Sequence, residues 1–386
     1  MKVILAWQGP RTERERIMFS RRQTPFLRQL LVDGVQPVVA LMGDDGGLRR
    51  DLEGSGVPVE VLPMLPPPAA KLPSLPRAVR ALRAMVRRHR PDILEGSDPL
   101  PGLAAALAGR SMLGGRRPIV IYRRHFYDGW IRMKIPSQIA ARLADRLAAS
   151  CDAMREHIAA RERKPVRLID VSTSGIAEPP SVGEAEIAAA RASLGIGPGA
   201  FVIGAVAYLL HHKGIDVLLD ALDHLSPGAD IHVVVVGNGR ARPALEQQAA
   251  GKPFQVHFLG HREDVHRWIA ASDVMVMPSR WEAFGRVTVE TMSMARPLIA
   301  SRIGGLHDAV VDGETGLFVP VDDPAALGGA IESLVGDRSR VRRMGAAARA
   351  HYEAHHTIAH MAASWRQGWQ RAIDVTRAAR GGERSW

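Results

Sequence analysis

The sequence predicts an α/β chain built from two tandem, doubly wound, Rossmann-like parallel-sheet domains with a cleft between them. Three observations carry that expectation. At 386 residues the chain exceeds what a single hydrophobic core ordinarily organises, and an apolar fraction of 46% is enough to fill two. Short apolar runs that end in Gly, Pro or polar residues have helical patterns between several of them, the rhythm of a parallel sheet with crossover helices. That rhythm breaks at the Gly/Pro-rich joint "SLGIGPGA", residues 193–200, and then restarts.

The elements follow in order. "KVILAW" is too short an apolar run, and is too soon followed by charge, to be a signal peptide; it reads as a first buried strand. "QPVVAL", "PVEVLP", "DILEGS" and "RPIVIYRRH" continue the first sheet. Before "DILEGS", "PRAVRALRAMVRRHRP" reads as a helix with Arg77, Arg80, Arg83 and Arg87 at helical spacing and Val79, Leu82 and Val86 on another face. After the joint, "FVIGAVAYL", "IHVVVVGNG", "VHFLGH", "DVMVMPS" and "RPLIAS" supply a second set of strands. Residues 356–380 are helical in pattern, with Ile358, Met361, Trp365 and Trp369 on one side. The expected domains are 1–180 and 190–355.

Composition narrows the function. The single cysteine, Cys151, excludes a disulfide framework and a Cys-cluster metal site and fits a reducing, cytoplasmic setting. No run approaches the roughly 18 to 20 apolar residues that span a bilayer. The positive charge is uneven: residues 1–190 hold 30 Lys and Arg against 20 Asp and Glu, and residues 191–386 hold 21 against 20. A solvated arginine-rich helix and a basic face resting on anionic lipid are both compatible with this excess. Nucleic acid is disfavoured as a partner, because no aromatic-interleaved basic motif occurs. A dehydrogenase is disfavoured too, since no Gly-x-Gly-x-x-Gly follows the first strand.

Ligands of doubly wound sheets bind beyond the carboxyl ends of the strands. Three successive strand ends in the second half deliver Lys213, the turn "GNG", and the pair Glu282 and Glu290. This set suits a nucleoside diphosphate joined to a hydroxyl-rich group. Gly285 permits close backbone approach, and a helix starting near Arg286 would aim free amides at phosphate. Lys213 adds positive charge, Glu282 can accept hydrogen bonds from hydroxyls, and Glu290 can chelate a ribose diol.

In combination "EAFGRVTVETM", "HHKGIDVLLDAL", "VVVVGNG", "FLGHREDV" and "GGLHDAVVDGETGLFVP" resemble the C-terminal half of the retaining family-4 glycosyltransferases of the GT-B fold, over roughly residues 201–340. The resemblance implies sugar transfer from a nucleotide-sugar donor with the anomeric configuration kept, no essential metal and no cofactor beyond the donor itself. No Asp-x-Asp motif of the metal-dependent fold is present. By the same resemblance Glu282 holds donor-sugar hydroxyls and Glu290 the ribose. Phe284, Gly285, Arg286 and Val287 bring backbone to the diphosphate, Lys213 neutralises it, and Gly237, Asn238 and Gly260 line the nucleotide pocket. Many members carry an arginine five or six residues before the lysine, where this chain has Tyr208 and Ala207. Neutralisation then falls to Lys213 and helix N-termini, or Arg262 or Arg286 compensates.

The N-terminal half resembles the family more faintly. "RRHFYDG" makes His125 the candidate that reaches the donor sugar and phosphate, while Gly9, with Gly96, Ser97 and Asp98, stands on the acceptor side. The family pattern implies that the last helix crosses back to the N-terminal domain. The acceptor is expected to be a glycan or a lipid-linked precursor of lipopolysaccharide or another envelope glycan, met in the cytoplasm or peripherally at the inner membrane face. A GT-B epimerase or phosphorylase, or a non-catalytic membrane-associated member of the fold, is the alternative.

Overall fold

The computed structural model describes residues 1–10, 13–43, 47–63, 71–112, 117–124 and 134–382. The chain divides into two compact units, Met1–Ala177 together with Ile358–Trp386, and Glu178–Thr357.

In the first unit the strands are β1 (Lys2–Gln8), β2 (Gln36–Met42), β3 (Val59–Leu62), β4 (Ile93–Ser97), β5 (Ile119–Arg123), β6 (Arg146–Ala149) and β7 (Ile169–Val171). Its helices are α1 (Glu13–Val32), α2 (Gly47–Glu53), α3 (Lys71–His89), α4 (Pro99–Arg110), α5 (Lys134–Leu143), α6 (Asp152–Glu162) and, from the far end of the chain, α14 (Ile358–Gly382). The strands pair in parallel in the order β3-β2-β1-β4-β5-β6-β7. A parallel sheet is covered on both faces, so its strands are apolar nearly throughout; β1 buries five consecutive residues, Val3 to Trp7.

The second unit contains β8 (Phe201–Val206), β9 (Ile231–Val236), β10 (Gln255–Gly260), β11 (Val274–Met277), β12 (Leu298–Ser301) and β13 (Gly316–Val319). Its helices are α7 (Glu184–Ala192), α8 (Ile215–Ala221), α9 (Arg242–Ala249), α10 (Val265–Ala271), α11 (Arg286–Ser293), α12 (Pro324–Val335) and α13 (Arg338–His355). The parallel strand order is β10-β9-β8-β11-β12-β13. Side chains of β8 and β9 such as Ile203 and Val233 pack with Leu218 of α8 and Ile331 of α12 on one face. On the other, Val202 and Val234 pack with Trp268 of α10.

Helix α14 covers part of one face of the first sheet, beside α1. Ala362, Trp365, Trp369, Ala372 and Ile373 repeat at helical spacing and join Val3, Leu5, Ile93 and Phe26 in one buried cluster. The cluster encloses an ion pair. Arg123 Nε of β5 donates to Glu95 Oε1 of β4 at 2.5 Å, Trp369 Nε1 donates to Glu95 Oε2 at 2.7 Å, and the Arg123 guanidinium lies 3.4 Å from the Trp365 ring centroid. Further along the helix, Arg371 Nε donates to Asp170 Oδ1 at 3.2 Å while Arg146 Nε donates to Oδ2 of the same carboxylate at 2.7 Å. The helix is therefore tied to β4 through β7 by charge as well as by apolar packing.

In α3 the arginines at 77, 80 and 87 are exposed and Arg83 is half-buried, whereas Val79, Leu82 and Val86 are buried. The apolar side of this helix is consumed by the domain core. What it presents outward is guanidinium.

Candidate functional site

In the second unit the strand order reverses direction between β8 and β11, and the crevice beyond the carboxyl ends at such a switch point is where doubly wound sheets take ligands. Residues 207–214 leave β8 there and residues 278–285 leave β11. Lys213 closes a single 3₁₀ turn, His211–Lys213, and lies two residues before α8 starts rather than inside it. Gly214 follows with φ of +66°, and a Cβ on it would lie 1.9 Å from the Pro278 carbonyl oxygen. Only glycine lets these two strand-end segments lie against each other.

That contact brings Lys213 to Glu282. Lys213 Nζ donates to Glu282 Oε2 at 2.5 Å, with the two side chains 20% and 15% exposed. Arg280 sets the geometry between them. Its backbone amide donates to His212 O at 2.8 Å, its Nη1 to His211 O at 2.5 Å, and its guanidinium to both Asp216 oxygens at 2.9 and 2.7 Å. Its Nε also pairs with Asp322 at 2.8 Å. Burial pushes the Asp216 carboxyl up, but the hydrogen bonds and charge of Arg280 outweigh it and hold Asp216 below the usual carboxylate range. The His212 ring stacks on Trp281 at 4.5 Å and 16°. Burial and then the Lys213 charge lower the His212 pKa, against the pull of Glu282. The ring is thus a neutral imidazole near neutral pH.

Gly285 precedes α11 with φ of +72°, where a Cβ would lie 2.6 Å from Leu306 Cδ2. Thr288 N donates back to Gly285 O at 2.8 Å, leaving the amides of Arg286 and Val287 in the first turn, where no intrahelical acceptor exists and the helix dipole is positive. The Phe284 ring is buried beside His356, and the Val287 side chain packs on the cluster around Met275 and Leu298. What this segment offers a ligand at those two positions is backbone. Glu290 lies one turn into α11 with Oε1 3.6 Å from Arg286 Nη2.

The loop after β9 is locked to the segment after β8. A Cβ on Gly237 would lie 1.8 Å from Ala207 O, and Gly237 N donates to Gly260 O at 2.7 Å. Asn238 O accepts from Leu209 N at 3.0 Å, and its side-chain Oδ1 accepts from Gly239 N at 2.9 Å. Gly237, Asn238 and Gly260 thus form one framework. Arg262 is held by both oxygens of Asp264 at 2.8 and 2.9 Å.

In the first unit, Gly9 follows β1 and its amide donates to Met42 O at 2.8 Å. Gly96 and Ser97 end β4, and Asp98 precedes α4 with φ of +70°. The order of that sheet reverses between β1 and β4, so these residues stand at its own switch point. Ser97 Oγ is buried without a hydrogen-bond partner among the described residues. His125 lies outside the described residues.

Arg280, His212, Trp281 and Gly305 were not singled out from sequence. Arg280 and Trp281 stand immediately before Glu282, a signal of position only. A Cβ on Gly305 would lie 1.8 Å from Ala283 O, so the Gly304-Gly305 doublet was the usable sign that another loop presses on this one.

Two doubly wound parallel-sheet units, one with a lysine, a carboxylate and a helix N-terminus gathered at its switch point, define the two-domain GT-B class. The models described as "Glycosyl transferases group 1" and "Glycosyl transferase 4-like domain" match residues 200–337 and 21–171. A D-inositol 3-phosphate glycosyltransferase of Nocardia farcinica is 34% identical over 267 residues, 64% of this chain and 59% of that protein. The lipopolysaccharide core biosynthesis mannosyltransferase LpsB of Rhizobium meliloti is 29% identical over 162 residues, 39% of this chain and 46% of that one. The chain thus spans about half the length of the curated relatives it matches. Among solved structures, Anabaena HepE in complex with UDP superposes with a TM-score of 0.78 at 22% identity, covering 96% of this chain and 100% of that one. Sucrose-phosphate synthase from Thermosynechococcus elongatus does so with a TM-score of 0.75 at 17% identity, covering 97% and 99%; both likenesses establish the fold. The chain belongs to the family-4 glycosyltransferases of the GT-B fold.

Proposed function

We propose that this protein transfers a sugar from a nucleoside-diphosphate donor to a hydroxyl of a glycan or lipid-linked acceptor, with retention and without an essential metal. The observation that carries the reading is the Lys213–Glu282 pair at the switch point, in the same unit as the open first turn of α11. As the bond from the anomeric carbon to the diphosphate breaks, negative charge grows on the leaving phosphate. Lys213 and the amides of Arg286 and Val287 are the groups that stabilise it, in a setting where fixed donors count for more than in water. Glu282 accepts hydrogen bonds from donor-sugar hydroxyls, and Glu290 takes the ribose diol. Lys213 and Glu282 pair with each other, and each also has the chemistry to engage the donor, the ammonium a phosphate and the carboxylate a hydroxyl.

Retention follows from same-face attack, in which a donor phosphate oxygen takes the proton of the acceptor hydroxyl. A double displacement would instead need a carboxylate beside the anomeric carbon. The names of the relatives, an inositol-phosphate glycosyltransferase and a lipopolysaccharide core mannosyltransferase, support a polar and often anionic acceptor. So does the basic excess of residues 1–190. Envelope glycan synthesis at the cytoplasmic membrane face is the setting proposed. No helix among the described residues is long and apolar enough to cross a membrane, so attachment would run through surface arginines such as those of α3. The test is a thermal-shift screen of nucleotide sugars followed by measurement of nucleoside-diphosphate release with and without glycan acceptors. A protein that is shifted by no nucleotide sugar would refute the reading; epimerised or phosphorolysed product would redirect it.

A further inference from the structure

A nucleoside diphosphate brings more than one negative charge to the β8, β9 and β11 strand ends, yet nearly every cation there already has a carboxylate. Lys213 is paired with Glu282, Arg280 with Asp216 and Asp322, Arg242 with Glu246, and Arg262 with Asp264. Arg286 lies 3.6 Å from Glu290. Arg240 differs: it is exposed and, among the described residues, has no carboxylate partner.

Its position is fixed by backbone on both sides. Gly239 is pressed on Leu209, where a Cβ would lie 2.2 Å from the carbonyl oxygen, and Ala241 N donates to that same oxygen at 3.1 Å. Arg242 N closes the turn onto Gly239 O at 3.1 Å. Leu209 opens the short path to the 3₁₀ turn, in which Lys213 N donates to Leu210 O at 2.9 Å. The Arg240 side chain therefore leaves a rigid turn fastened to the segment that carries Lys213. The turn fixes the backbone of Arg240, and its guanidinium offers a planar pair of donors that fits phosphate oxygens.

We propose that Arg240 is a second phosphate-binding cation of the donor site, engaging the diphosphate from the β9 side while Lys213 engages it from the β8 and β11 side. The proposal rests on the nucleotide-sugar reading above. The electrostatics agree: after burial and Lys213, Arg240 is among the charges that depress the His212 pKa, so its positive field reaches the stacked His212 and Trp281 rings.

The experiment is calorimetric titration of the full chain with UDP, GDP, ADP and dTDP. The best-binding diphosphate and its monophosphate are then titrated into Arg240→Gln and Arg240→Lys. Losing a charge-assisted contact should weaken diphosphate binding about ten- to thirtyfold in Arg240→Gln, with the monophosphate weakened less than about threefold and Arg240→Lys recovering part of the loss. Undiminished diphosphate affinity in Arg240→Gln overturns the assignment while leaving the donor reading intact. Equal weakening of both nucleotides overturns it as well, because that is what mere disturbance of the 237–241 turn would produce. A wild-type protein that binds none of the four diphosphates overturns the donor reading and this proposal together.

Discussion

Replacing Glu95 by Ala tests what holds α14 to the first sheet. The carboxylate is fully buried, and it accepts from Arg123 at 2.5 Å and from Trp369 at 2.7 Å. Without it, Arg123 keeps, among the described residues, the Ser172 hydroxyl at 3.4 Å and the Trp365 ring face, both neutral. A buried charge left without its partner costs about 3–5 kcal/mol. In a unit of this size each kcal/mol moves the melting temperature by about 2–4 °C, so the transition of the first unit should fall by about 6–20 °C. Differential scanning calorimetry of wild type, Glu95→Ala, and the double variant Glu95→Leu with Arg123→Met reads the effect. Because an apolar pair can replace a buried ion pair at little cost, the double variant should melt well above the single one. A Glu95→Ala protein melting within about 2 °C of wild type, or a double variant melting as low as the single, would refute the reasoning.

Other expectations concern chemistry, surface and pH. Glu282→Gln and Lys213→Ala should each lower turnover by about 10² to 10³ with the melting temperature little changed; near-normal transfer by both would remove these residues from the mechanism. Gly285→Ala forces a side chain into a φ of +72° and onto Leu306, and should cost about 1–3 kcal/mol of stability, read by urea unfolding. Replacing the exposed Arg77, Arg80 and Arg87 by Gln should weaken binding to anionic vesicles at low salt and leave nucleotide affinity unchanged. Wild-type binding should itself fade as salt shortens the screening length to about 8 Å, and wild-type indifference to such vesicles at low salt would end the membrane-surface proposal. Asp216 has a folded-state pKa below its unfolded one, so its stabilising contribution is complete above the ordinary carboxylate pKa and is lost as pH falls through the lowered value. Unfolding curves of Asp216→Asn should accordingly lie below wild type at pH 7 and converge with it in acid; a constant gap down to pH 2.5 would contradict this.

The parallel-sheet rhythm was legible because strands buried on both faces must be apolar almost throughout. "IHVVVV" in β9 is buried at every position and could hardly be read otherwise. Strands β6 and β7 were not legible: "RLAA" and "IDV" are four and three residues long, and their charged members Arg146 and Asp170 are buried against each other, with Arg371 of α14 on the same carboxylate. At the site, strand-end logic pointed to Lys213, Glu282, Gly285 and the Gly237 turn, and the glycines sit where backbone truly crowds. Pairing was out of reach. Nothing local says that Lys213 meets a carboxylate 69 positions away, or that Arg262, considered as a compensating cation, is committed to Asp264. The same blindness hid Arg280, whose partners Asp216 and Asp322 lie on either side of it in sequence, 64 positions before and 42 after.

The path of the chain imposes an order on its making. The first unit is interrupted after Ala177 and resumes at Ile358, so Trp365 and Trp369 leave the ribosome only after the whole of the second unit has been translated. At about 5–20 residues per second that interval is on the order of ten seconds or more. Through it, Phe26, Ile93 and the Glu95–Arg123 pair wait without the side chains that later cover them. The nascent first half is thus an apolar sheet face with an embedded charge pair, the kind of surface on which chaperones act, while the second unit can finish folding first. Translation that stops short of α14 leaves that face uncovered.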